Sequence, residues 1–336
     1  MSIAVQEAPA VSLSAHLSPL DLPQPESIVP PIPLVKLCYT MVHAAEAVGI
    51  HDLADGEFLP GDTTLEQGIE HQLNYLLDQV GCTRPGFRLL EIGCGYGGLL
   101  RLAQARGARV VGVNLSPEQL EYCNAHGSQT YCCNYRDLRY AREWHGQFDG
   151  VIANGSLEHW VQPEDVLAGR MKGLYRESFE IMHQLLDPAA DEARYVTTAI
   201  HVQRPVRPED LLTPWQRHPR GSNERHYSLL HQWMGGWYPK NGQLAECARP
   251  FFTLIAEQDG TLGYKIANDY RMARMMRGLY TNPKLVYRLA RSLFHHPQIA
   301  HTMLRCYYLE QSWDWQFRGD NPPMKLWRQT WRRKRI

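Results

Sequence analysis

Two groups of residues in this chain are of a type and spacing that could do chemistry. The first is Glu91-Ile92-Gly93-Cys94-Gly95-Tyr96-Gly97-Gly98, with four glycines in the last six positions. Glycine adopts backbone angles closed to other residues and leaves no Cβ in the way, so a ligand can lie against the main chain. A dinucleotide fingerprint places its third glycine later, as G-x-G-x-x-G. Here an acid precedes the loop instead. A carboxylate at that point suits a cationic, amino-acid-like tail and repels a pyrophosphate. The second group is Gly155-Ser156-Leu157-Glu158-His159-Trp160, whose Glu158 is a candidate proton acceptor. The adjacent His159 reads more simply as a packing or hydrogen-bonding residue.

The elements needed to position these groups can be read on either side of them. Phe87–Ile92, Arg109–Leu115, Phe148–Asn154 and Arg194–Ile200 are short apolar runs of the kind that form strands buried on both faces. Leu99–Arg106 is a helix ended by Gly107. Ser116-Pro117-Glu118-Gln119 carries an N-cap, a first-turn proline and a glutamine three residues after the cap, so a second helix starts there. Strand and helix in alternation mean a parallel sheet with right-handed crossovers, a doubly wound α/β fold. Both chemical groups then fall at the carboxyl edge of the strands, where open α/β sheets bind ligands.

Upstream, Leu34–Val48 is apolar at helical spacing. Thr63-x-x-Glu66 reads as a capping box for a helix that buries Leu65, Ile69, Leu73, Leu76, Leu77 and Val80. Residues 1–34 hold seven of the 22 prolines and read as an extended, flexible leader. From about 202 to 263 the alternation breaks, and Arg204, Arg207, Arg217, Arg220 and Arg225 mix with Pro, Trp and His, which reads as an inserted α-rich cap. Its arginines could hold a phosphate or carboxylate, or simply be solvated. Residues 276–336 read as a helical extension ending in a basic aromatic patch, Trp327 to Ile336, that could touch anionic lipid.

Composition narrows the classes. The 336 residues are 44% hydrophobic and 21% charged with a formal net charge of +0, so no overall field draws the chain to nucleic acid. The eight cysteines include no C-x-x-C pair, so no metal centre is expected, and they read as buried thiols of a reducing, cytoplasmic compartment. No apolar run approaches the roughly 20 residues of a membrane span.

Taken in order, Leu90 to Gly98, Gly112-Val-Asn-Leu-Ser-Pro-Glu-Gln119, Asn134-Tyr-Arg-Asp-Leu138, Phe148-Asp-Gly-Val-Ile152 and Leu157 to Trp160 resemble the class I S-adenosyl-L-methionine (SAM)-dependent methyltransferases. Phe58 to Leu65, Trp237-Tyr-Pro-Lys-Asn-Gly242 and Asn268-Asp269-Tyr270 bring the resemblance closer to the cyclopropane-fatty-acyl-phospholipid and mycolic acid synthases. It spans roughly residues 50 to 275 and implies a mostly parallel seven-stranded sheet with a substrate cap in a domain of residues 35–275.

The resemblance also implies contacts. Glu91, Gly93, Gly95 and Tyr96 line the methionine part of SAM, and Asn114 meets the ribose in place of the more usual acid. Leu115, Ser116 and Gln119 flank the nucleoside. Asn134 and Tyr135 flank the adenine, although Tyr135 serves equally well as a core aromatic. Glu158 becomes the active-site glutamate. Cyclopropane synthases hold bicarbonate as base with a cysteine, a histidine and a tyrosine besides that glutamate. Here Asp55 and Thr198 fall at the cysteine and histidine positions, with His201 close by, and an aspartate repels bicarbonate. Glu158, Asp55 or Tyr270 could then itself be the base. The implied activity is C-methylation of a lipid-like or natural-product small molecule, with S-adenosyl-L-homocysteine (SAH) as by-product. Cyclopropanation of an unsaturated acyl chain, and SAM binding without methyl transfer, are the alternatives.

Overall fold

The computed structural model describes residues 19–190 and 192–335. Seven strands form one sheet: β1 (Arg88–Ile92), β2 (Arg109–Asn114), β3 (Thr130–Cys132), β4 (Gly150–Asn154), β5 (Arg194–Val202), β6 (Phe252–Asp259) and β7 (Met324–Arg333), in the order β3-β2-β1-β4-β5-β7-β6. The first five are parallel, and β7 runs antiparallel between β5 and β6. The winding direction reverses between β1 and β4, which makes a crevice outside their carboxyl ends.

The helices are α1 (Pro33–Val42), α2 (Leu65–Val80), α3 (Gly98–Ala105), α4 (Pro117–Ala125), α5 (Pro163–Leu167), α6 (Met171–Leu185), α7 (Pro208–Leu212), α8 (Asn223–Met234), α9 (Gln243–Ala248), α10 (Thr261–Thr281), α11 (Pro283–His295), α12 (Pro297–Leu304) and α13 (Ser312–Trp315). The strands are buried on both faces because successive side chains point to opposite sides. Leu89, Val110, Ile152 and Val196 pack with Leu73, Leu76 and Leu77 of α2 and Leu99 and Leu100 of α3. Their neighbours Leu90, Val111, Val151 and Tyr195 share the other core with Tyr175, Phe179 and Met182 of α6.

Four expectations are corrected. The apolar run 34–48 divides into α1 and a 3₁₀ turn, His43–Val48, instead of continuing as one helix. The helix after it is capped by Thr64 with Gln67, one residue later than read, because the glutamine reaches back to the cap backbone. The cap is shorter than its composition implies, since β6 within it is a sheet strand with alternating burial.

The largest correction concerns the C-terminal segment. It is not an appended helical tail: β7 pairs along nine residues of β5, from Arg194–Arg332 to Val202–Met324. Trp331 and Arg328 are buried by that pairing, whereas Arg332 and Arg335 stay exposed and Arg333 and Lys334 half-buried at the end of the strand. The described part of the leader, residues 19–32, is extended as expected but tied down. Ile28 and Val29 donate backbone N–H bonds to Asp137, Trp144 donates to Pro23 O and Tyr131 to Leu22 O.

Candidate active site

A cavity of about 500 Å³ opens at the carboxyl ends of β1, β2, β4 and β5. That falls within the roughly 300–1,000 Å³ of small-molecule sites. It has a polar half beside β1 and β2 and an apolar half beneath α1, α8 and α10.

In the polar half, Gly93, Gly95 and Gly97 all have positive φ (76°, 50° and 72°). A Cβ on Gly93 would lie 2.7 Å from that of Ser156, so the β1 and β4 loops meet only because it is glycine. At Gly95 nothing lies within 4 Å of the missing Cβ; a side chain there would point into ligand space. Glu91 is 4% exposed and its Oε2 has no partner among the described residues. Burial pushes its carboxyl well above the usual range. An unpaired carboxylate in such a place is costly unless a cation meets it, and a cationic ligand group satisfies it.

All ten residues expected to hold the cofactor line this cavity. Several are also occupied structurally. Asn114 Nδ2 donates to Gln119 Oε1 at 2.7 Å, and its Oδ1 accepts from Leu115 N at 2.8 Å, which fixes the β2–α4 turn. Ser116 caps α4 by accepting from Gln119 N. Asn134 caps the 3₁₀ turn that follows β3, and Tyr135 stacks on Trp160 with ring centroids 3.9 Å apart.

Glu158 sits on a 3₁₀ turn just past β4, where its Oε1 accepts from Ile200 N of β5 at 2.8 Å. Its Oε2 has no partner among the described residues. Burial lifts its pKa to about 7, and the Asp55 charge adds to the rise. Glu158 O accepts from Trp237 N at 3.0 Å, and a Cβ on Gly236 would lie 2.3 Å from that oxygen. The cap therefore presses directly on the turn that carries the carboxylate. Tyr39, Tyr238 and Tyr264 line the same half, close enough for Glu158 to add to the upward shift that burial gives their phenols. His159 bonds Tyr39 Oη through Nε2 at 3.0 Å, and burial lowers its pKa to about 4, so it is a neutral hydrogen-bonding residue.

Asp55 lines the cavity floor but is paired with Arg328 of β7 at 2.5 Å. Arg328 directs its remaining donors to Gly56 O, Glu57 and Gln258. Gln72 Nε2 bridges Asp55 (2.9 Å) and Asn154 (3.0 Å), and Thr198 Oγ1 donates to Asn154 Oδ1 at 2.8 Å. Burial raises the Asp55 pKa to about 6 even against the guanidinium. Two carboxylates, Asp55 and Glu158, thus face one cavity, and Arg328 is saturated behind it. These residues do not fit a bicarbonate ion.

Tyr270 is not part of this assembly. It stacks on Phe58 at 5.7 Å, outside the cavity, while Tyr264 on the same helix reaches it. Nor do the cap arginines line it: Arg225 is buried against Glu310, Arg207 pairs with Asp210, and Arg204 donates to Asn321 O. Sequence reading missed Tyr39, Tyr264 and Arg328, and gave Tyr238 only as one of the cap aromatics. The tyrosines are isolated aromatics in helices and loops, and Arg328 lies in a run that reads as a surface tail.

The sheet order and the glycine loop define the class I methyltransferase fold. Residues 90–174 match the family model described as a methyltransferase domain. Over 110 residues the chain is 33% identical to a probable fatty acid methyltransferase of Mycobacterium tuberculosis, covering 30% of this chain and only 24% of that one. Among solved structures, a cyclopropane synthase from M. tuberculosis matches with a TM-score of 0.66 at 17% identity, covering 91% of this chain and 100% of that chain. A mycolic acid cyclopropane synthase complexed with SAH and CTAB matches with a TM-score of 0.65 at 18% identity, covering 91% and 99%. The resemblance drawn from the sequence, to class I methyltransferases and within them to cyclopropane synthases, is the one these comparisons return.

Proposed function

We propose that this chain is a SAM-dependent methyltransferase that alkylates a carbon of a lipid-like or natural-product acceptor, with Glu158 beside the reacting carbon. The observation that carries the reading is that two buried carboxylates, Glu91 and Glu158, line one cavity, each with an oxygen that has no partner among the described residues. Glu91 would receive the cationic amino group of the cofactor, with the Gly93–Gly95 backbone alongside, Asn114 and Gln119 toward the ribose and Asn134 and Tyr135 toward the adenine. SAM, when bound, supplies an activated methyl group and leaves as SAH.

The chain's own residues then have three tasks. Val35, Leu174, Ile200 and Met234 exclude water and favour an apolar acceptor. The rings of Tyr39, Tyr238, Tyr264 and Trp313 offer π faces to any positive charge that develops on it. Glu158 Oε2 is the free acceptor for a departing proton, and a pKa of about 7 lets it both take and release one near neutral pH.

A second reading, transfer of a methylene bridge to an unsaturated acyl chain, is supported about equally by the likeness to two cyclopropane synthases. Its usual bicarbonate base has no fitting site here, so Glu158 would serve both reactions. Work in a reducing compartment fits the eight unpaired cysteines. Among the described residues no helix is long and apolar enough to cross a membrane.

The test uses SAM with a fully deuterated methyl group and separate lipid and soluble extracts. A product that keeps all three deuteriums is a methyl branch. One that keeps two has lost a deuteron from the transferred methyl, as ring closure to a methylene bridge requires. SAM binding with no product from either extract would leave a SAM-binding protein without transfer and refute the proposal.

A further inference from the structure

Helix α11 is amphipathic with part of its apolar surface turned outward. Leu285 is buried and Leu289 half-buried beneath it. Yet Phe294 is 83% exposed, Tyr287 66%, Leu293 45% and Val286 44%, and Tyr280 at the end of α10 is 84% exposed. At 3.6 residues per turn, Val286, Tyr287, Ala290, Leu293 and Phe294 fall on one arc of about 120°. Arg291 follows it along one border, while Lys284 and Arg288, farther round the helix, are paired with Glu46. A water-facing helix does not expose such a stripe without a use for it.

The charge around the stripe identifies its partner. Residues 261–310 contain eight Lys and Arg against two Asp and Glu; Arg271 is buried, and Arg274, Lys284, Arg288 and Arg305 are paired with Glu66, Glu46 and Glu310. Arg277 and Arg291 are exposed and have no acidic partner among the described residues. An apolar stripe with bulky aromatics, bordered by cations, is the pattern of a helix that lies in the plane of an anionic lipid surface.

What lies behind the stripe gives the contact a purpose. An apolar cleft of about 60 Å³ beneath α11 is lined by Leu289, Met272 and Met303. It shares Val42, Leu53 and Trp313 with the main cavity, on the acceptor side.

We propose that the outer face of α11, with Tyr280, is the surface by which this chain docks on anionic lipid bilayers, and that an apolar acceptor enters beside it. This surface is separate from the basic C-terminal residues, of which Arg328 is buried in the sheet while Arg332 and Arg335 remain exposed. The entry route rests on the lipid-like acceptor proposed above; the docking does not, and its test needs no turnover.

The full chain is sedimented with vesicles of phosphatidylcholine alone, or of phosphatidylcholine and phosphatidylglycerol in a two-to-one mixture. The expected result is binding to the mixed vesicles, with little binding to the neutral ones, that weakens with salt. Tyr287→Ser with Phe294→Ser should lower it tenfold or more. Arg277→Gln and Arg291→Gln should each lower it about fivefold. All four side chains are exposed, so the variants should melt with the parent chain and bind SAM as it does. Equal binding to neutral vesicles, or binding indifferent to these substitutions, overturns the proposal. So does a concentration-dependent dimer in light scattering that Phe294→Ser dissolves, since a second copy would then be the partner of this face.

Discussion

Glu158→Gln separates a proton acceptor from a structural acid by moving activity and stability in opposite directions. The glutamine keeps the shape and an oxygen for Ile200 N. What is lost is the charge on the second, unpaired oxygen. A positioned base contributes roughly 10²- to 10⁴-fold, so methyl transfer should fall by that factor. The dissociation constant for SAM should stay within about threefold, because the expected cofactor contacts lie across the cavity. The carboxyl rises from 4.5 to about 7 through burial, which costs the ionised form about 3 kcal/mol in the folded state at ~1.4 kcal/mol per pH unit.

The sign follows from linkage. An acid whose pKa is raised on folding contributes stability that is complete below about pH 4.5 and is lost as pH climbs through about 7. Glutamine has nothing to lose. Above pH 7 the variant should melt higher by at most about 4 °C, taking an unfolding entropy near 2.1 cal/mol/K per residue, while near pH 4 the two should coincide. The parent's kcat/KM should rise with pH through about 7. Calorimetry at two pH values and label transfer from SAM read both effects. A variant that retains turnover within tenfold, or one that loses SAM binding along with turnover, refutes the assignment.

Other expectations follow from the same geometry. Glu91→Gln should weaken SAM binding by about ten- to a hundredfold in titration calorimetry, the worth of a hydrogen bond between charged groups. Arg328→Met leaves Asp55 buried and uncompensated; at neutral pH it should cost about 3–5 kcal/mol, partly recovered near pH 5 as Asp55 takes up a proton, and largely recovered in the double variant with Asp55→Asn. Gly236→Ala places a Cβ 2.3 Å from Glu158 O at a φ of +93°. It should lower turnover at least tenfold with little change in SAM affinity, since the turn that carries Glu158 must move. Vesicle sedimentation should place lipid binding on α11, as argued above.

The polar half of the cavity was legible because its requirements are local. A glycine loop between a strand and a helix, with an acid before it, is contained in eight consecutive residues, and four of the five parallel strands announce themselves as apolar runs, the short edge strand β3 being the one that does not. The acceptor half is not local. Tyr39 comes from α1, Tyr238 from the cap and Tyr264 from α10, and no spacing rule connects them. β7 was illegible for a different reason: four of its ten residues are Lys or Arg, which composition assigns to the surface. The fold instead buries Arg328 against Asp55, more than 270 residues away in sequence. Asp55, which the sequence reading offered as a candidate base, lines the cavity, yet without that partner its charge state could not be judged.

The choice between a methyl branch and a methylene bridge then reduces to geometry at one oxygen. If a methyl group adds to a carbon–carbon double bond, positive charge is left on the acceptor and a proton must depart. Taken from the newly added methyl, it closes a three-membered ring; taken from a neighbouring carbon, it leaves a methylated alkene. In this site Asp55 is held by Arg328 and Gln72 and His159 Nε2 by Tyr39, and among the described residues Glu158 Oε2 is a carboxylate oxygen without a partner beside the aromatic wall. Its other oxygen is fixed on Ile200 N, and Trp237 N and Gly236 fix the backbone of its turn. The base has little freedom to select among protons, so the selection rests with how the apolar half seats the acceptor. Substitutions at Val35, Leu174 or Met234 should therefore shift the ratio of products that retain three and two deuteriums, while substitutions at Glu158 should lower both together.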